Sequence, residues 1–314
     1  IEVIMASLPS VLTGGINCLS LATNTFTLCT PLFSLALLKT LPIKPLQKVC
    51  TQGSTFIAET WIGINSKMFD VTHQTQYNIT GDLDKISYDG WYMVVANHQS
   101  WADIFILQKI FNRHAPFFKF FLKQELIYVP VMGLCWSALD FPFMKRYSKE
   151  FLAKHPELKG KDLETTRKAC EKFKHTPVSV MNFLEGTRFT DSKHQKQESP
   201  YQYLLKPKAA GIAYALNIMG EEIDTMIDVT INYPDGRPNF WEFMCGKSKH
   251  IDVHIETKAI PKEFRVGDYE NDANFRKNFQ GWINQLWQHK DQLLAEMNKA
   301  YTSSDNILSF RKAS

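Results

Sequence analysis

Two short polar clusters in this chain combine residue types that can move a proton and bind an anion. The first is Asn97-His98-Gln99-Ser100-Trp101-Ala102-Asp103, which directly follows the apolar run Tyr92–Ala96. Histidine exchanges a proton near neutral pH, and a nearby carboxylate fixes its tautomer and stabilises its charged form. We therefore predict that His98 is a general base and that Asp103 is its partner. The same residues also fit a helix capping box from Ser100 to Asp103, which would give them a purely structural role.

The second cluster, Glu185-Gly186-Thr187-Arg188, follows the apolar run Val178–Leu184. The planar fork of an arginine matches phosphate oxygens, and a glycine lets a ligand approach the backbone closely. We expect Arg188 to bind a phosphate and Glu185 to orient it through an ion pair. A tight turn with a surface ion pair is the alternative interpretation.

The elements that must position these clusters alternate between strands and helices. We predict strands at 71–80, 92–96, 178–184, 226–233 and 251–259, and helices at 45–70, 100–111, 163–173, 209–216 and 274–301. Residues 117–143 are strongly apolar, and residues 190–208 read as a polar, lysine-rich loop. This alternation predicts an α/β fold with a central mixed sheet flanked by helices. Ligands of such sheets bind beyond the carboxyl ends of the strands, which is where both clusters fall.

The N-terminal region carries no charge between Glu2 and Lys39. A helix needs roughly 20 apolar residues to cross a bilayer core, so the run is long enough. It predicts either a single tilted span within residues 16–38 or a helical hairpin with a bend near Gly14-Gly15 or Asn24. A buried helix pair in a soluble domain competes with both. We predict a membrane anchor over residues 1–44 and one catalytic domain over residues 45–314.

The overall composition narrows the classes of function. The net charge is only +4, whereas most nucleic-acid binders are more basic, so we expect no nucleic-acid partner. Six scattered cysteines predict free thiols and no metal site. Because Lys39, Lys44 and Lys48 follow the uncharged run, the positive-inside rule puts the catalytic domain on the cytoplasmic side of the membrane. We expect that membrane to be a bacterial inner membrane.

Four blocks in this order resemble the glycerolipid acyltransferase family, in particular its lysophosphatidic acid (1-acylglycerol-3-phosphate) acyltransferase branch. They are the N-H-x4-D block from Asn97 to Asp103, the apolar Phe141-Pro142-Phe143-Met144-Lys145-Arg146, the block Phe183-Leu184-Glu185-Gly186-Thr187-Arg188, and Ile231-Asn232-Tyr233-Pro234. The chain departs from the family pattern at Leu184, where proline is frequent, and at Met144-Lys145. The second departure concerns the identity of the acceptor more than the type of reaction.

The resemblance implies the substrates and the roles of the site residues. The donor is acyl-CoA or acyl carrier protein, the acceptor is lysophosphatidic acid or a related lysophospholipid, and no other cofactor or metal is needed. By the same resemblance His98 is the base and Asp103 its partner. By the same resemblance Arg146, Glu185, Gly186 and Arg188 bind the acceptor. We also expect Thr187 of the third block to contact the substrate, and Lys208 of the lysine-rich loop to meet CoA phosphates or lipid headgroups.

The expected mechanism is direct transfer, because the thioester is already activated and no G-x-S-x-G nucleophile motif is present. His98 removes the proton of the acceptor hydroxyl, and backbone N–H groups near Asn97–Ser100 are expected to stabilise the oxyanion. Two other functions compete with transfer. A thioester or lipid ester hydrolase would use the same His–Asp pair to activate water, and a membrane adaptor would keep the fold without catalysis.

Overall fold

The computed structural model describes residues 9–144 and 161–313, and the elements are numbered within those ranges. Two long helices come first, α1 over Ser10–Leu38 and α2 over Lys44–Thr72. They pack side by side, and Asn24 joins them by donating to the Trp61 carbonyl at 3.0 Å and to Asn65 Oδ1 at 2.8 Å. Helix α1 is continuous, so the predicted bend near Gly14-Gly15 or Asn24 is wrong.

Helix α1 is the single described helix that is both long and apolar enough to cross a membrane. Its 29 residues extend about 43 Å at the usual helical rise. The helical hairpin that the sequence suggested within the first 44 residues is instead formed by α1 together with α2.

The remaining elements alternate as predicted. The helices are α3 (Ala102–Phe111), α4 (Met132–Ala138), α5 (Lys161–Cys170), α6 (Asp191–Gln197), α7 (Ala209–Met219), α8 (Phe240–Met244), α9 (Lys262–Arg265) and α10 (Ala273–Ala313). The strands are β1 (Gln76–Gly81), β2 (Trp91–Ala96), β3 (Phe118–Lys119), β4 (Leu122–Lys123), β5 (Phe143–Met144), β6 (Val178–Phe183), β7 (Thr225–Asn232) and β8 (His250–Ala259). Short 3₁₀ helices cover Leu83–Lys85, Gln124–Tyr128 and Glu171–His175.

Six strands form one mixed sheet in the order β1-β8-β7-β2-β6-β3. Strand β7 pairs antiparallel with β8, and the other neighbours pair in parallel. Strands β6, β2 and β7 are therefore adjacent and parallel, so their carboxyl ends meet at one edge of the sheet. The predicted α/β class with a central mixed sheet is confirmed.

The sheet is buried on both faces. Met93 and Val95 of β2 pack in a cluster with α7 and α10, including Ile212 and Trp287. Alternate residues of the same strand pack in a second cluster with α3 and α8, which includes Ile106 and Phe243. A strand buried on both sides reads as a continuous apolar run, as the sequence of β2 does.

Two local predictions differ from the structure. The predicted strand at 71–80 begins only at Gln76, because α2 continues to Thr72. The predicted loop at 190–208 contains helix α6, which begins where the Thr190 hydroxyl accepts a hydrogen bond from the Lys193 N–H at 3.3 Å. Its polar side chains give no apolar stripe, so its hydrophobic pattern does not distinguish it from a loop.

Candidate active site

His98 and Asp103 are hydrogen-bonded, as the sequence predicted. His98 Nδ1 lies 2.8 Å from Asp103 Oδ2. Asp103 is in the first turn of α3 and is fully buried, while the His98 side chain is 12% exposed. A carboxylate only accepts hydrogen bonds, so Nδ1 carries the proton and Nε2 is the basic nitrogen.

Asp103 is held in place by three further donors. Its Oδ2 atom accepts the backbone N–H groups of Gln99 at 2.7 Å and Ser100 at 2.9 Å. Its Oδ1 atom accepts the hydroxyl of Tyr233, which follows strand β7. The capping interpretation is thus also correct in part, because this carboxylate satisfies N–H groups ahead of α3.

Three of the four backbone N–H groups of Asn97–Ser100, which were expected to stabilise the oxyanion, donate to carboxylates of the protein itself. The N–H groups of Gln99 and Ser100 donate to Asp103, and the N–H of His98 donates to Glu185 Oε1 at 2.7 Å. These three donors point toward carboxylates behind the loop and are not directed at a substrate. The sequence motif gave the correct partner for His98 but could not show that this partner also occupies the neighbouring amides.

Asn97 fixes the loop that carries His98. Its side-chain amide donates to the Ile231 carbonyl at 2.8 Å, and its Oδ1 accepts the Ile231 N–H at 2.9 Å. The side chain therefore continues the pairing of β2 with β7 by one step beyond the last paired backbone residue. This lets the backbone of His98 leave the sheet while its position stays defined.

Glu185 lies behind the site. It is fully buried, and its two oxygens accept the N–H groups of His98 and of Leu205, the latter at 3.0 Å. Burial raises the pKa of this carboxyl to about 7. No ion pair joins Glu185 to Arg188 within the described residues, so the expected orientation of Arg188 by Glu185 is wrong. Glu185 joins two loops of the site.

The residues after Glu185 face the solvent side. Gly186 has a φ of +65°, and an added Cβ would lie 3.1 to 3.6 Å from the side chain of Lys208. The Thr187 hydroxyl and the Arg188 carbonyl accept from Lys193 Nζ at 2.8 and 2.9 Å. The turn therefore brings Lys193 and Lys208 together with Arg188.

Arg188 packs against Trp101, the residue immediately before α3. Its guanidinium carbon lies 4.1 Å from the centre of the Trp101 ring, a cation–π distance. This contact connects the Phe183–Arg188 block to the Asn97–Asp103 block at the protein surface. Thr187 and Arg188 follow Gly186 in this turn, and the Lys208 side chain lies beside Gly186, whereas Arg146 lies outside the described residues.

Two cationic residues at this edge were not among the predicted site residues. Lys193 was assigned to a solvated loop, but α6 directs its ammonium to the turn at Thr187. Arg237 donates through Nε to Gln99 Oε1 and stacks 3.9 Å from the centre of the Phe189 ring. Its only sequence signal is its position after the fourth block.

The His98 ring continues a row of aromatic rings. It stacks on Phe183 with centroids 4.0 Å apart and an interplanar angle of 14°. Phe183 is followed by Phe120 at 6.4 Å and then Phe141 at 6.3 Å. His98 thus forms the end of a row with three phenylalanine rings.

An apolar cavity of about 620 Å³ opens beside this row. His98 lines it, together with residues of α1, α2, α3 and α4 and of the apolar segment 117–143. The volume is in the range of pockets that enclose small organic ligands. Within the described part of the chain, no group of three or more His, Cys, Asp or Glu side chains is arranged to hold a metal. The six cysteines are free, as predicted.

Comparisons with known proteins match the region of the chain that contains this site. A family model described as Acyltransferase matches residues 76–231, from strand β1 to the fourth block. The chain is 26% identical over 186 residues to 1-acyl-sn-glycerol-3-phosphate acyltransferase gamma of Homo sapiens, covering 56% of this chain and 44% of that protein. It is 25% identical over 189 residues to the delta protein of the same name in Mus musculus, covering 57% and 45%. The matched region thus spans less than half the length of these relatives.

Residues 76–231 thus carry the domain of the acyltransferase family. Within that family, its relatives carry the name of the 1-acyl-sn-glycerol-3-phosphate acyltransferases, which is the branch that the four blocks indicate. Among solved structures, the 1-acyl-sn-glycerophosphate acyltransferase of Thermotoga maritima is similar with a TM-score of 0.47 and 17% identity, covering 89% of this chain and 97% of that chain.

Proposed function

We propose that this protein transfers a fatty acyl group from acyl-CoA or acyl carrier protein to the hydroxyl of lysophosphatidic acid or a related lysophospholipid. The observation that carries this proposal is the position of His98. One ring nitrogen is bonded to a buried carboxylate, and the ring lines an apolar cavity of about 620 Å³. A basic nitrogen at a cavity of this kind suits a reaction whose substrates have both a hydroxyl and a long hydrocarbon chain.

The proposed reaction needs one base and no protein nucleophile. His98 Nε2 accepts the proton of the acceptor hydroxyl while that oxygen attacks the thioester carbonyl. The new C–O bond forms, the C–S bond breaks, and His98 returns the proton to the thiolate. Asp103 stabilises the intermediate imidazolium.

The acceptor phosphate would bind at the cationic turn. Arg188, Lys193 and Lys208 lie together there, and the Arg188 guanidinium is fixed against the Trp101 ring. Binding a phosphate at a fixed distance from the base positions the free hydroxyl for attack. The role of Arg146 stays a prediction from the resemblance.

Hydrolysis is the second candidate function. Water at His98 would attack the same thioester carbonyl and release a free fatty acid. Acyl-CoA carries phosphates of its own, so the cationic turn fits both reactions, and the dependence of the product on an acceptor separates them.

We also propose that α1 and α2 attach the domain to the cytoplasmic face of a membrane. Large apolar side chains on both helices are exposed, among them Leu19, Phe26, Val49 and Phe56. Helix α1 contacts the catalytic domain near both of its ends, through Asn17 to the Met244 carbonyl and through an ion pair of Lys39 with Asp140. Because α1 is attached to the catalytic domain near both ends, it inserts together with α2 into one leaflet of the bilayer. The inner membrane of a bacterium remains our expectation for the compartment.

The decisive experiment offers labelled acyl-CoA and a panel of lysophospholipids to the purified protein and to His98→Ala. General base catalysis contributes about 10²- to 10⁴-fold, so we expect a loss of that size with unchanged thermal unfolding. His114→Ala is the matched control, because His114 is exposed and does not line the cavity.

Three outcomes separate the candidate functions. Labelled phospholipid that forms only with an acceptor supports transfer. Free fatty acid released at the same rate without an acceptor indicates the hydrolase. Wild-type protein that does neither with any donor would favour the non-catalytic adaptor.

A further inference from the structure

The hydroxyl of Tyr233 is the donor to the second oxygen of the Asp103 carboxylate. Tyr233 directly follows strand β7 and is buried, and its hydroxyl donates to Asp103 Oδ1. The other oxygen, Oδ2, lies 2.8 Å from His98 Nδ1 and also accepts two backbone N–H groups. The carboxylate therefore lies between the rings of His98 and Tyr233, with one oxygen directed to each.

Tyr233 acts on this carboxylate as a neutral donor. An ionised carboxylate only accepts hydrogen bonds, so the proton of the contact is on the tyrosine oxygen. Burial and the charge of Asp103 raise the pKa of Tyr233 well above its usual value, so the hydroxyl stays a donor throughout the neutral pH range. Tyr233 does not line the apolar cavity that His98 lines. Its influence on the reaction therefore passes through Asp103.

A hydrogen bond to a carboxylate weakens the attraction of that carboxylate for a cation beside it. The donor stabilises the negative charge, so less free energy is gained when a positive charge forms nearby. Asp103 is fully buried, and hydrogen bonds are electrostatically stronger in such an environment than in water. The Tyr233 hydroxyl therefore makes the imidazolium form of His98 less stable than Asp103 alone would make it.

We propose that Tyr233 is a positioning residue that acts through Asp103 to lower the proton affinity of His98. The ring is then available as an unprotonated base at neutral pH, while Asp103 still fixes its tautomer. This inference rests on the proposed function in taking His98 to be the general base. The contact connects the end of β7 to the first turn of α3, so its geometry is set by the fold and not by a bound substrate.

Other titratable and charged groups face these residues from the neighbouring elements. Glu185, in the loop after β6, interacts electrostatically with Asp103, and Arg237, after β7, interacts with Glu185. Tyr77 of β1 interacts with Tyr233, and burial raises its pKa above the usual value, so it stays neutral. An arginine keeps its charge. Of these three groups only Glu185 changes its charge near neutral pH, because burial raises its pKa to about 7.

The test measures the protonation of His98 in the intact chain without a substrate. Deuterium exchange at the carbon between the two ring nitrogens, followed by mass spectrometry, gives the pH at which half of a given histidine is protonated. The chain contains nine histidines, so the others report in the same sample on the state of the fold. Wild type and Tyr233→Phe are compared over the range in which imidazoles titrate.

Tyr233→Phe keeps the ring and removes one hydroxyl. The His98 midpoint should move to higher pH by about one unit, which is a tenfold gain in proton affinity. The shift should persist when both proteins also carry Glu185→Gln, because that change removes the neighbour that titrates in this range. An unchanged or lower midpoint in folded Tyr233→Phe would overturn the proposal, and so would a shift that disappears with Glu185→Gln.

Tyr77→Phe is the matched control. It removes the hydroxyl of a second, half-buried tyrosine that packs against the same core cluster as Tyr233. Asp103 Oδ1 accepts from Tyr233, so loss of the Tyr77 hydroxyl should leave the His98 midpoint unchanged. Equal shifts in Tyr77→Phe and Tyr233→Phe would show that a general loss of polarity in the core, and not the bond to Asp103, is the cause.

Replacement of Tyr233 alone by 3-fluorotyrosine provides a second variant that keeps the hydroxyl. The fluorine withdraws electrons from the ring and makes this hydroxyl a stronger donor to Asp103. The His98 midpoint should therefore move to lower pH, opposite to its movement in Tyr233→Phe. A shift to higher pH, or none, would contradict the proposal even if Tyr233→Phe does not fold.

Transfer assays separate this inference from the proposed function. If His98 is the base, the acidic limb of kcat/KM in Tyr233→Phe should move by the same amount as the exchange midpoint, while the KM for the acceptor on the alkaline side stays unchanged. A limb that stays in place while the midpoint moves would show that His98 is not the base. Wild-type protein that transfers no acyl group would remove the proposed function. In both cases the exchange measurement still tests the role of Tyr233.

Discussion

Asp103 and Glu185 are two buried carboxylates with different tasks at the residue scale. Asp103 accepts from His98, from two backbone amides and from Tyr233, so it defines both the orientation and the tautomer of the His98 ring. Glu185 accepts the backbone N–H groups of His98 and Leu205 and so fixes the loop itself. The ring and the loop are therefore held independently of a bound substrate.

The raised pKa of Glu185 predicts a pH dependence of stability. Burial raises this pKa from 4.5 to about 7, so between these values the folded chain keeps a proton that the unfolded chain has lost. The contribution to the free energy of unfolding is full below pH 4.5, falls as the pH rises, and is lost above about pH 7. The total change is about 3 kcal/mol.

Unfolding of the wild type and of Glu185→Gln over this pH range measures the effect. Glutamine does not ionise, so the variant should lack the decline, although it loses one acceptor at every pH. The difference between the two proteins cancels the titration of all other groups. Parallel curves from pH 4.5 to 7 would show that Glu185 has an ordinary pKa.

The sequence was sufficient for the His98–Asp103 pair because the two residues are close along the chain. A separation of five residues across a strand-to-helix turn leaves few geometries, and the predicted contact is present. The partners of Glu185 could not be predicted, since Leu205 is brought to it only by the tertiary fold. Arg237 was missed for the same reason, as its contact partner Gln99 lies 138 residues away in the sequence.

At the scale of elements, the site depends on three adjacent parallel strands and on the docking of α1. Strand β2 ends at the loop of His98, β6 ends before Glu185, and β7 ends before Tyr233. The apolar runs predicted these strands, but the order β6-β2-β7 is set by the crossovers and is not encoded in any local pattern. Helix α6 was not predicted at all, because this short polar helix has no apolar pattern and depends on its N-cap at Thr190.

Docking of α1 predicts different effects for two neighbouring glycines. A Cβ at Gly14 would lie 2.7 Å from the Cys245 Sγ atom and 3.0 Å from the Trp241 ring, whereas a Cβ at Gly15 meets nothing within 4 Å. Gly14→Ala should therefore lower the free energy of unfolding by about 1–3 kcal/mol through overpacking. Gly15→Ala should raise it by up to about 1 kcal/mol, because alanine favours the helix.

Thermal unfolding of both variants in the same detergent tests this prediction. The two substitutions are chemically identical and adjacent, so effects of the helix or the micelle are shared. Equal midpoints for Gly14→Ala and Gly15→Ala would show that α1 is not packed against α8 as described.

At the scale of the whole molecule, the two N-terminal helices carry several exposed apolar side chains at a regular spacing. Leu12, Leu19 and Phe26 on α1 are seven residues apart, as are Val49 and Phe56 on α2, and all five are at least half exposed. A spacing of seven returns to nearly the same helical face. Exposed patches of this kind mark contacts with membranes or partners.

The membrane contact predicts a loss of vesicle binding in Leu19→Glu/Phe26→Glu. Each buried side chain of this size contributes about 1.5–3 kcal/mol, so binding to phospholipid vesicles should weaken at least about tenfold. Fatty acid binding in detergent should be unchanged, because neither residue lines the cavity. Ile79→Glu, at an exposed position on β1, is the control. Equal sedimentation of both variants with vesicles would show that this face does not contact lipid.

The open cavity beside His98 also has a practical consequence for handling the protein. Alkyl-chain surfactants used to extract it have tails that match the walls of this 620 Å³ space, so they will compete with the lipid reactants. Measured turnover should then fall as the surfactant concentration rises, even when the polypeptide is fully intact. Rigid sterol-based surfactants, whose fused rings are broader than a single chain, should inhibit less, and lipid nanodiscs should give the truest rates.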